Sequence, residues 1–240
     1  MRLKIHLKRN GELFVPFNYN YIISSIIYNK LSDLKLATKL HSSKTFKFFT
    51  FSQINIPRRK ILKNGIISKD GSINFQISSP NDHLIKSLVE GHLNDLAVSF
   101  KGKRLFVEKI ELLKDPEFKS SMTFKTISPI ITRTKKEIYG ELKTRELTPA
   151  DQQFYENLEK NLVRKYNQFY DEEKEVNDIK IGSEMKFVKR KRIAIEKDKV
   201  KTYHRAFMMD INLEGDLNLI KFGYNCGIGE KNSLGFGMIK

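Results

Sequence analysis

The sequence is poor in the residues that mark several large classes of protein. Cysteine occurs once, at Cys226, so no internal disulfide framework can form and the expected compartment is the reducing cytoplasm. No apolar run is long enough to span a bilayer. The opening MRLKIHLK alternates polar and apolar residues as a strand does, unlike a secretion signal. No segment joins a basic face to a long apolar one, so a membrane partner is not expected. Neither a carboxylate cluster nor a His/Cys ligand spacing is present, so no metal or other cofactor is expected. Acidic residues are also scarce beside basic ones: 28 Asp+Glu stand against 44 Lys+Arg, a formal net charge of +16.

With 40% hydrophobic residues the chain can still bury a core, so it reads as a folded basic protein and not as a basic tail. Such an excess on a globular chain is the footprint of a polyanionic partner, most often nucleic acid. A solubility charge, or the lysine bias of an AT-rich source, is the competing reading.

Five of the 13 glycines fall in residues 223–237, within the terminal stretch GYNCGIGEKNSLGFGMIK. Two phosphate-cradling motifs can be tested against it, and both fail. After Gly227 and Gly229 the third glycine of a dinucleotide fingerprint would fall at Asn232, and no helix can follow. A P-loop starting at Gly223 finds Ile228 where its second glycine belongs, and the Gly-Lys-Ser/Thr is missing. The stretch is therefore a glycine loop beside a last strand.

Periodicity predicts a strand over residues 2–8 and a helix over 18–31, with Ile22, Ile23, Ile26, Ile27 and Leu31 on one face. Strands follow at 46–55 and 72–79, and the polar HSSK segment at 41–44 reads as a loop before the first of them. A helix opens at the Asn81-Asp82 start signal, and two strands at 95–101 and 104–113 join through Lys101-Gly102-Lys103. Ignoring an extra hairpin, this is β-α-β-β-α-β, the ferredoxin-like order. The second half repeats it less clearly. A strand is predicted at 122–132, and a helix after Thr148-Pro149-Ala150-Asp151 turns Phe154, Leu158 and Leu162 inward. Two long strands at 179–196 and 200–213 form a wide hairpin, and a short helix or turn at 216–221 leads to a final strand at 236–239. The expectation is α+β, two tandem ferredoxin-like (RRM-like) domains of residues 1–116 and 117–240, joined at Lys114-Asp115-Pro116-Glu117, with a C-terminal glycine-rich loop.

The wide hairpin is the densest basic site: residues 186–205 hold six Lys and three Arg against Glu196 and Asp198. Alternation puts Lys189 and Lys191 on one face and Arg190 and Arg192 on the other, so positive charge is expected on both faces. Such a hairpin can track a phosphate backbone or enter an RNA groove. A solvated edge whose lysines block sheet-to-sheet aggregation is the alternative.

The terminal GYNCGIGEKNSLGFGMIK resembles the C-terminal glycine-rich loop of the CRISPR-associated repeat-processing endoribonucleases of the RAMP superfamily. VPFNYNYIISSIIYNKL at 15–31, LATKLH at 36–41 followed by KTFKFFTFSQI at 44–54, and FKTISPIIT at 124–132 extend the likeness, in family order, across the whole chain. The resemblance implies tandem ferredoxin-like domains that bind the repeat of a precursor CRISPR RNA and cut it once per repeat. It also admits other subunits of a CRISPR effector complex as partners, and a monomer or homodimer.

Cutting RNA without a metal uses the 2′-hydroxyl before the break as nucleophile. The enzyme must remove that proton, give one to the departing 5′-oxygen and stabilise the phosphorane, tasks suited to Tyr or His, His, and Lys. By resemblance the positions are Tyr28, His41 and Lys47, and the products a 2′,3′-cyclic phosphate and a 5′-hydroxyl. On the residues alone, Tyr28 reads as a boundary core aromatic and Lys47 as one surface lysine among many. His41 stands in the polar HSSK segment, where a histidine has little core to fill. Expected RNA contacts are Lys186, Lys189, Arg190, Lys191, Arg192, His204 and Arg205 on the hairpin, and Gly227, Gly229, Lys231, Gly235 and Gly237 in the loop. His6, His83 and His92 fall within strand or helix patterns and read as structural. Two alternatives stay open: a non-catalytic RNA-binding subunit of the same superfamily, and an unrelated nucleic-acid scaffold whose charge acts only by counterion release.

Overall fold

A computed structural model describes residues 1–42, 46–138, 140–197 and 200–240. The N-terminal half runs β1 (Arg2–Lys8), β2 (Leu13–Pro16), α1 (Asn20–Asn29), α2 (Leu34–Ser42), β3 (Thr50–Phe51), β4 (Arg59–Leu62), β5 (Gly65–Ser68), β6 (Ile73–Ser78), α3 (Asp82–Asn94), β7 (Ala97–Phe100) and β8 (Lys103–Leu113). Alternation in β1 sends Leu3, Ile5 and Leu7 inward, where they are buried with Ile23, Ile26 and Ile27 of α1 and Leu84, Ile85 and Leu88 of α3. The sheet order is β3-β6-β1-β8-β7, with antiparallel pairs throughout. Without the added β7 this is the ferredoxin-like arrangement. Asn81 caps α3, its side chain accepting from the amides of His83 (3.0 Å) and Leu84 (3.3 Å).

The C-terminal half contains β9 (Ser121–Lys125), β10 (Arg133–Ile138), β11 (Glu141–Glu146), α4 (Gln152–Tyr170), β12 (Ile179–Gly182), β13 (Lys189–Lys197), β14 (Val200–Met208), β15 (Asp210–Gly215) and α5 (Leu217–Cys226). Its sheet order is β12-β15-β9. Residues 238–240 extend it beyond β9: the amides of Lys125 and Lys240 each donate to the other's carbonyl at 2.9 Å, and Ile239 bridges Thr126. The strand pattern of the first half thus recurs. Among the described residues no helix is long and apolar enough to cross a membrane.

Four local expectations are corrected. His41 and Ser42 of the predicted HSSK loop belong to helix α2, which starts where Asp33 accepts from the amides of Lys35 (2.9 Å) and Leu36 (3.0 Å) and so caps it. The predicted strand at 46–55 shrinks to β3, preceded by Phe48 at φ +49, outside strand geometry. The wide hairpin divides: β12 and β15 belong to the sheet, whereas β13 and β14 form a two-stranded sheet of their own, with Phe207 of β14 bridged to Ile130. Finally, α5 continues to Cys226, which puts Gly223 inside a helix and out of the loop. Two small sheets, β2-β5-β4 and β10-β11, had no expectation at all.

The halves are joined through buried polar contacts. Arg2, 2% exposed, donates from Nη1 to the Ile239 carbonyl (2.9 Å) and from Nη2 to that of Tyr224 (2.7 Å), with its guanidinium 3.7 Å from the Tyr224 ring centroid. Desolvation there lowers its pKa to about 10. Thr50 Oγ1 donates to the Phe236 carbonyl (2.9 Å), Asn20 Nδ2 to that of Leu234 (2.8 Å) and Ser24 Oγ to that of Ser233 (2.9 Å).

His92, on α3, is buried, and neither ring nitrogen has a hydrogen-bond partner among the described residues. Burial, aided by the charge of Lys30 and opposed by Asp95, lowers its pKa to about 4. The unfolded chain binds this proton near pH 6.5 and the fold only near pH 4, so stability falls as pH drops through that window, by up to about 3 kcal/mol. His92→Leu is expected to flatten the pH dependence of the urea midpoint between pH 6.5 and 4. A midpoint that keeps its full slope in the variant would assign the acid sensitivity to other groups.

Candidate active site in the cleft between the halves

The segment from Gly227 to Gly237 lies between the halves, and its glycines are there for packing. At Gly235 (φ +78) a Cβ would stand 2.4 Å from the Phe51 ring of β3, and at Gly237 (φ +74) one would stand 1.9 Å from the Ile228 carbonyl oxygen. The four glycines expected to contact RNA, Gly227, Gly229, Gly235 and Gly237, are all buried. The amides of Gly227, Gly235 and Gly237 donate to the carbonyls of Gly223, Asn232 and Pro129, each at 2.9 Å. Those three amides are therefore spent inside the protein and cannot cradle a phosphate. Only the tip between the glycine pairs, from Glu230 to Leu234, is partly exposed.

Lys165 holds this segment from below. It is 1% exposed, and its Nζ donates to the carbonyls of Gly227 (2.6 Å) and Gly229 (3.3 Å) and to Asn232 Oδ1 (3.0 Å). Asn232 Nδ2 in turn donates to the carbonyls of Ile228 (3.3 Å) and Phe236 (3.0 Å). Desolvation pushes the Lys165 ammonium below the ordinary lysine pKa. No expectation named this residue. The available signal was a lysine three places beyond Leu162, where the stripe Phe154, Leu158, Leu162 of α4 calls for an apolar side chain.

Above the tip opens a cleft of about 490 Å³. The N-terminal half supplies residues 46–49, α4 supplies Asn157, Lys160, Asn161 and Arg164, and the tip supplies Lys231, Asn232 and Ser233. Among the described residues six cationic side chains line it, Lys47, Arg133, Lys160, Arg164, Lys165 and Lys231, against the single carboxylate of Glu230. That carboxylate is committed to Arg133, accepting its backbone amide (2.8 Å), its Nε (2.7 Å) and its Nη2. The cleft is thus an anion site in which little negative charge opposes an incoming phosphate.

Two of the three expected catalytic residues border this cleft. Lys47 lines it, and its Nζ donates to the Leu40 carbonyl, one residue before His41. Desolvation lowers the Lys47 pKa. Tyr28, near the end of α1, is half-buried with its ring 5.7 Å from that of Phe49, and its hydroxyl hydrogen-bonds the Ser233 side chain at the tip. Burial raises its pKa, the serine contact opposing that shift. His41 occupies the last turn of α2, and its side chain lies outside the described residues. Among the described residues no three His, Cys, Asp or Glu side chains converge as metal ligands would.

The basic hairpin forms a separate surface. Register puts Arg192 opposite Arg205 and Ala194 opposite Tyr203. The other face buries Ile195, His204 and Ala206 beside Ile131 and Phe236. Charge on both faces is therefore corrected to charge mainly on one between 192 and 205, because the second face is part of the core. His204 is 6% exposed and its Nδ1 lies 2.9 Å from Glu146 Oε1, so its ring is turned inward and not toward RNA. Arg190, Arg192 and Arg205 are exposed, as are Lys186 and Lys189, whereas Lys191 is half-buried. Arg133, Lys160 and Arg164 were missed, since isolated basic residues on a helix face or at the start of a strand carry no spacing that marks them.

The comparisons with known proteins agree along the whole chain. Residues 14–111 match the family model described as CRISPR-associated protein Cas6, N-terminal, and residues 113–240 the model described as CRISPR associated protein Cas6, C-terminal. CRISPR-associated endoribonuclease Cas6 1 of Methanocaldococcus jannaschii is 41% identical over all of this chain and 92% of its own. A solved structure titled "CRISPR associated protein Cas6" is 40% identical, with a TM-score of 0.84 over all of this chain and 98% of the other. Another, titled "An RAMP protein binding different RNA substrates", is 31% identical, with a TM-score of 0.85 over all of this chain and 98% of the other. Matched from end to end in sequence and fold, this chain belongs to the Cas6 family.

Proposed function

We propose that the protein is a metal-independent endoribonuclease that binds the repeat of precursor CRISPR RNA and cuts it by attack of the 2′-hydroxyl on the adjacent phosphorus. In that step the bond from phosphorus to the 5′-oxygen breaks, one proton leaves the 2′-oxygen and one is delivered to the departing 5′-oxygen. The products are a 2′,3′-cyclic phosphate and a 5′-hydroxyl. Residues 1–116 carry Tyr28, His41 and Lys47, and residues 117–240 bring the tip and the basic hairpin.

The observation that carries this reading is the meeting of two expected residues at one cationic cleft: Lys47 lines it, and Tyr28 reaches its Ser233 rim. Burial keeps Tyr28 protonated at neutral pH, which suits it to donate a hydrogen bond to the reacting phosphate and not to serve as base. Lys47 and the other cations oppose the charge that grows on the phosphorane. His41, next to the carbonyl that accepts from Lys47, is the remaining proton carrier. The relatives' names support endoribonuclease activity and, in one case, RNA binding.

The deciding experiment incubates the protein with repeat RNA in EDTA, beside the same RNA carrying one 2′-deoxy nucleotide at the break. Cleavage of the first and not the second is expected. Loss of activity on chelation, or cutting of the deoxy RNA, rules out the internal nucleophile. Tight binding with no cleavage selects the non-catalytic subunit.

A further inference from the structure

The groove between the two hairpins of the C-terminal half carries an aromatic ring for which cleavage has no use. Tyr203 of β14 is 50% exposed, although its neighbours along the strand, His204 and Ala206, are buried. The Arg192 guanidinium lies 4.1 Å from its ring centroid and covers one face. The Lys201 ammonium lies farther out, 5.7 Å from the same centroid, so a planar group that takes its place meets a half-exposed ring already backed by the Arg192 guanidinium.

Its setting is fixed by the contacts beneath it. Glu146 of β11 lies 2.9 Å from His204 Nδ1 through one oxygen and accepts the Arg205 amide (2.7 Å) through the other, tying β14 to the β10-β11 hairpin. Between the hairpins runs a groove of about 520 Å³ lined by Tyr203, Arg205, Arg145 and Arg133 among others. Arg133 also lines the cleft that holds Lys47. Cleft and groove are therefore neighbours across one arginine.

We propose that Tyr203 is a stacking platform for one unpaired base of the RNA, on a strand that passes from the cleft over Arg133 and along the groove, with Arg145 and Arg205 meeting its phosphates. The proposal rests on the reading of the chain as an RNA-cleaving enzyme and adds to it a site for single-stranded RNA outside the cleft. A base inside a duplex has both faces occupied by its neighbours, so the nucleotide at Tyr203 must be unstacked on at least one side. Stacking reads no base edge, so the site tolerates any base.

The test uses the full-length protein and repeat RNA made uncleavable by a 2′-deoxy nucleotide at the break. Tyr203→Ala, an exposed position whose loss the fold tolerates, is expected to raise Kd by about 5- to 150-fold, the range set by stacking of one base. Tyr203→Phe keeps the ring and is expected to bind within about twofold of the parent. The slope of log Kd against log salt stays at the parent value in Tyr203→Ala, whereas Arg205→Gln lowers it by about one phosphate contact. Parent-like binding by Tyr203→Ala overturns the platform. So does an equal loss in Tyr203→Phe, which would assign the effect to the hydroxyl. If the parent itself fails to bind repeat RNA, the underlying RNA reading falls, an outcome distinct from either.

Discussion

His41→Ala is expected to slow single-turnover cleavage of repeat RNA by two to four orders of magnitude while Kd for the RNA stays near the parent value. The size is that of removing one positioned proton carrier, about 10²- to 10⁴-fold, equivalent to roughly 3–5 kcal/mol of barrier. Affinity is expected to hold because bound RNA would meet many cations, six of the described ones lining the cleft, and one imidazole adds little to that sum. The position favours the assignment: helix α2 carries His41 in its last turn, and Lys47 donates to the carbonyl one residue earlier, which ties Lys47 to the helix end. A variant that cuts at the parent rate would locate the proton carrier elsewhere. Equal losses in rate and affinity would make His41 a binding residue.

Lys165→Met is expected to cost about 3–5 kcal/mol of stability, the scale of removing one partner from a buried charged network. Methionine fills a similar volume but leaves the Gly227 and Gly229 carbonyls and Asn232 Oδ1 without their donor. Each buried acceptor left unmet costs about 1–3 kcal/mol. The damage reaches the cleft, because Asn232 also holds the carbonyls of Ile228 and Phe236 and thus both ends of the tip. A lowered urea midpoint together with weaker RNA binding is the expected pair of results. Lys231→Ala is the companion measurement: its side chain lines the same cleft but is partly exposed, so RNA binding should weaken while the midpoint moves little. Were Lys165→Met as stable as the parent, the segment would be held by its glycines alone.

Period and composition made the two sheets legible, because β1, α1, α3 and α4 each bury one regular stripe. What they missed has a common physical origin. The strand at 179–196 reads as continuous, yet residues 183–188 leave the sheet, and Met185 takes φ +60 there. The residue pattern records alternation but not which partner strand each stretch finds. The glycine loop was legible as a backbone pressed close between the halves, as Gly235 is against Phe51, whereas the amides expected to meet phosphates donate to carbonyls of the protein at Gly227, Gly235 and Gly237. Tyr28 and Lys47 were named by resemblance alone, and their meeting at one cleft depends on the tip of a segment some two hundred residues away. Lys165 was hidden because a lysine on an apolar stripe usually snorkels to water, whereas this one ends on carbonyls.

The bonds from Arg2 to the carbonyls of Tyr224 and Ile239 span more than two hundred residues of sequence. During synthesis, therefore, Arg2 waits for more than two hundred further residues before its acceptors exist. The first sheet can close early on local pairs, but the sheet of the C-terminal half lacks its outer strand until residues 238–240 emerge. A ribosome stalled before Gly227 would hold a protein with a finished first sheet and no tip against which the cleft can form, so the cleft waits on the segment from Gly227 to Gly237.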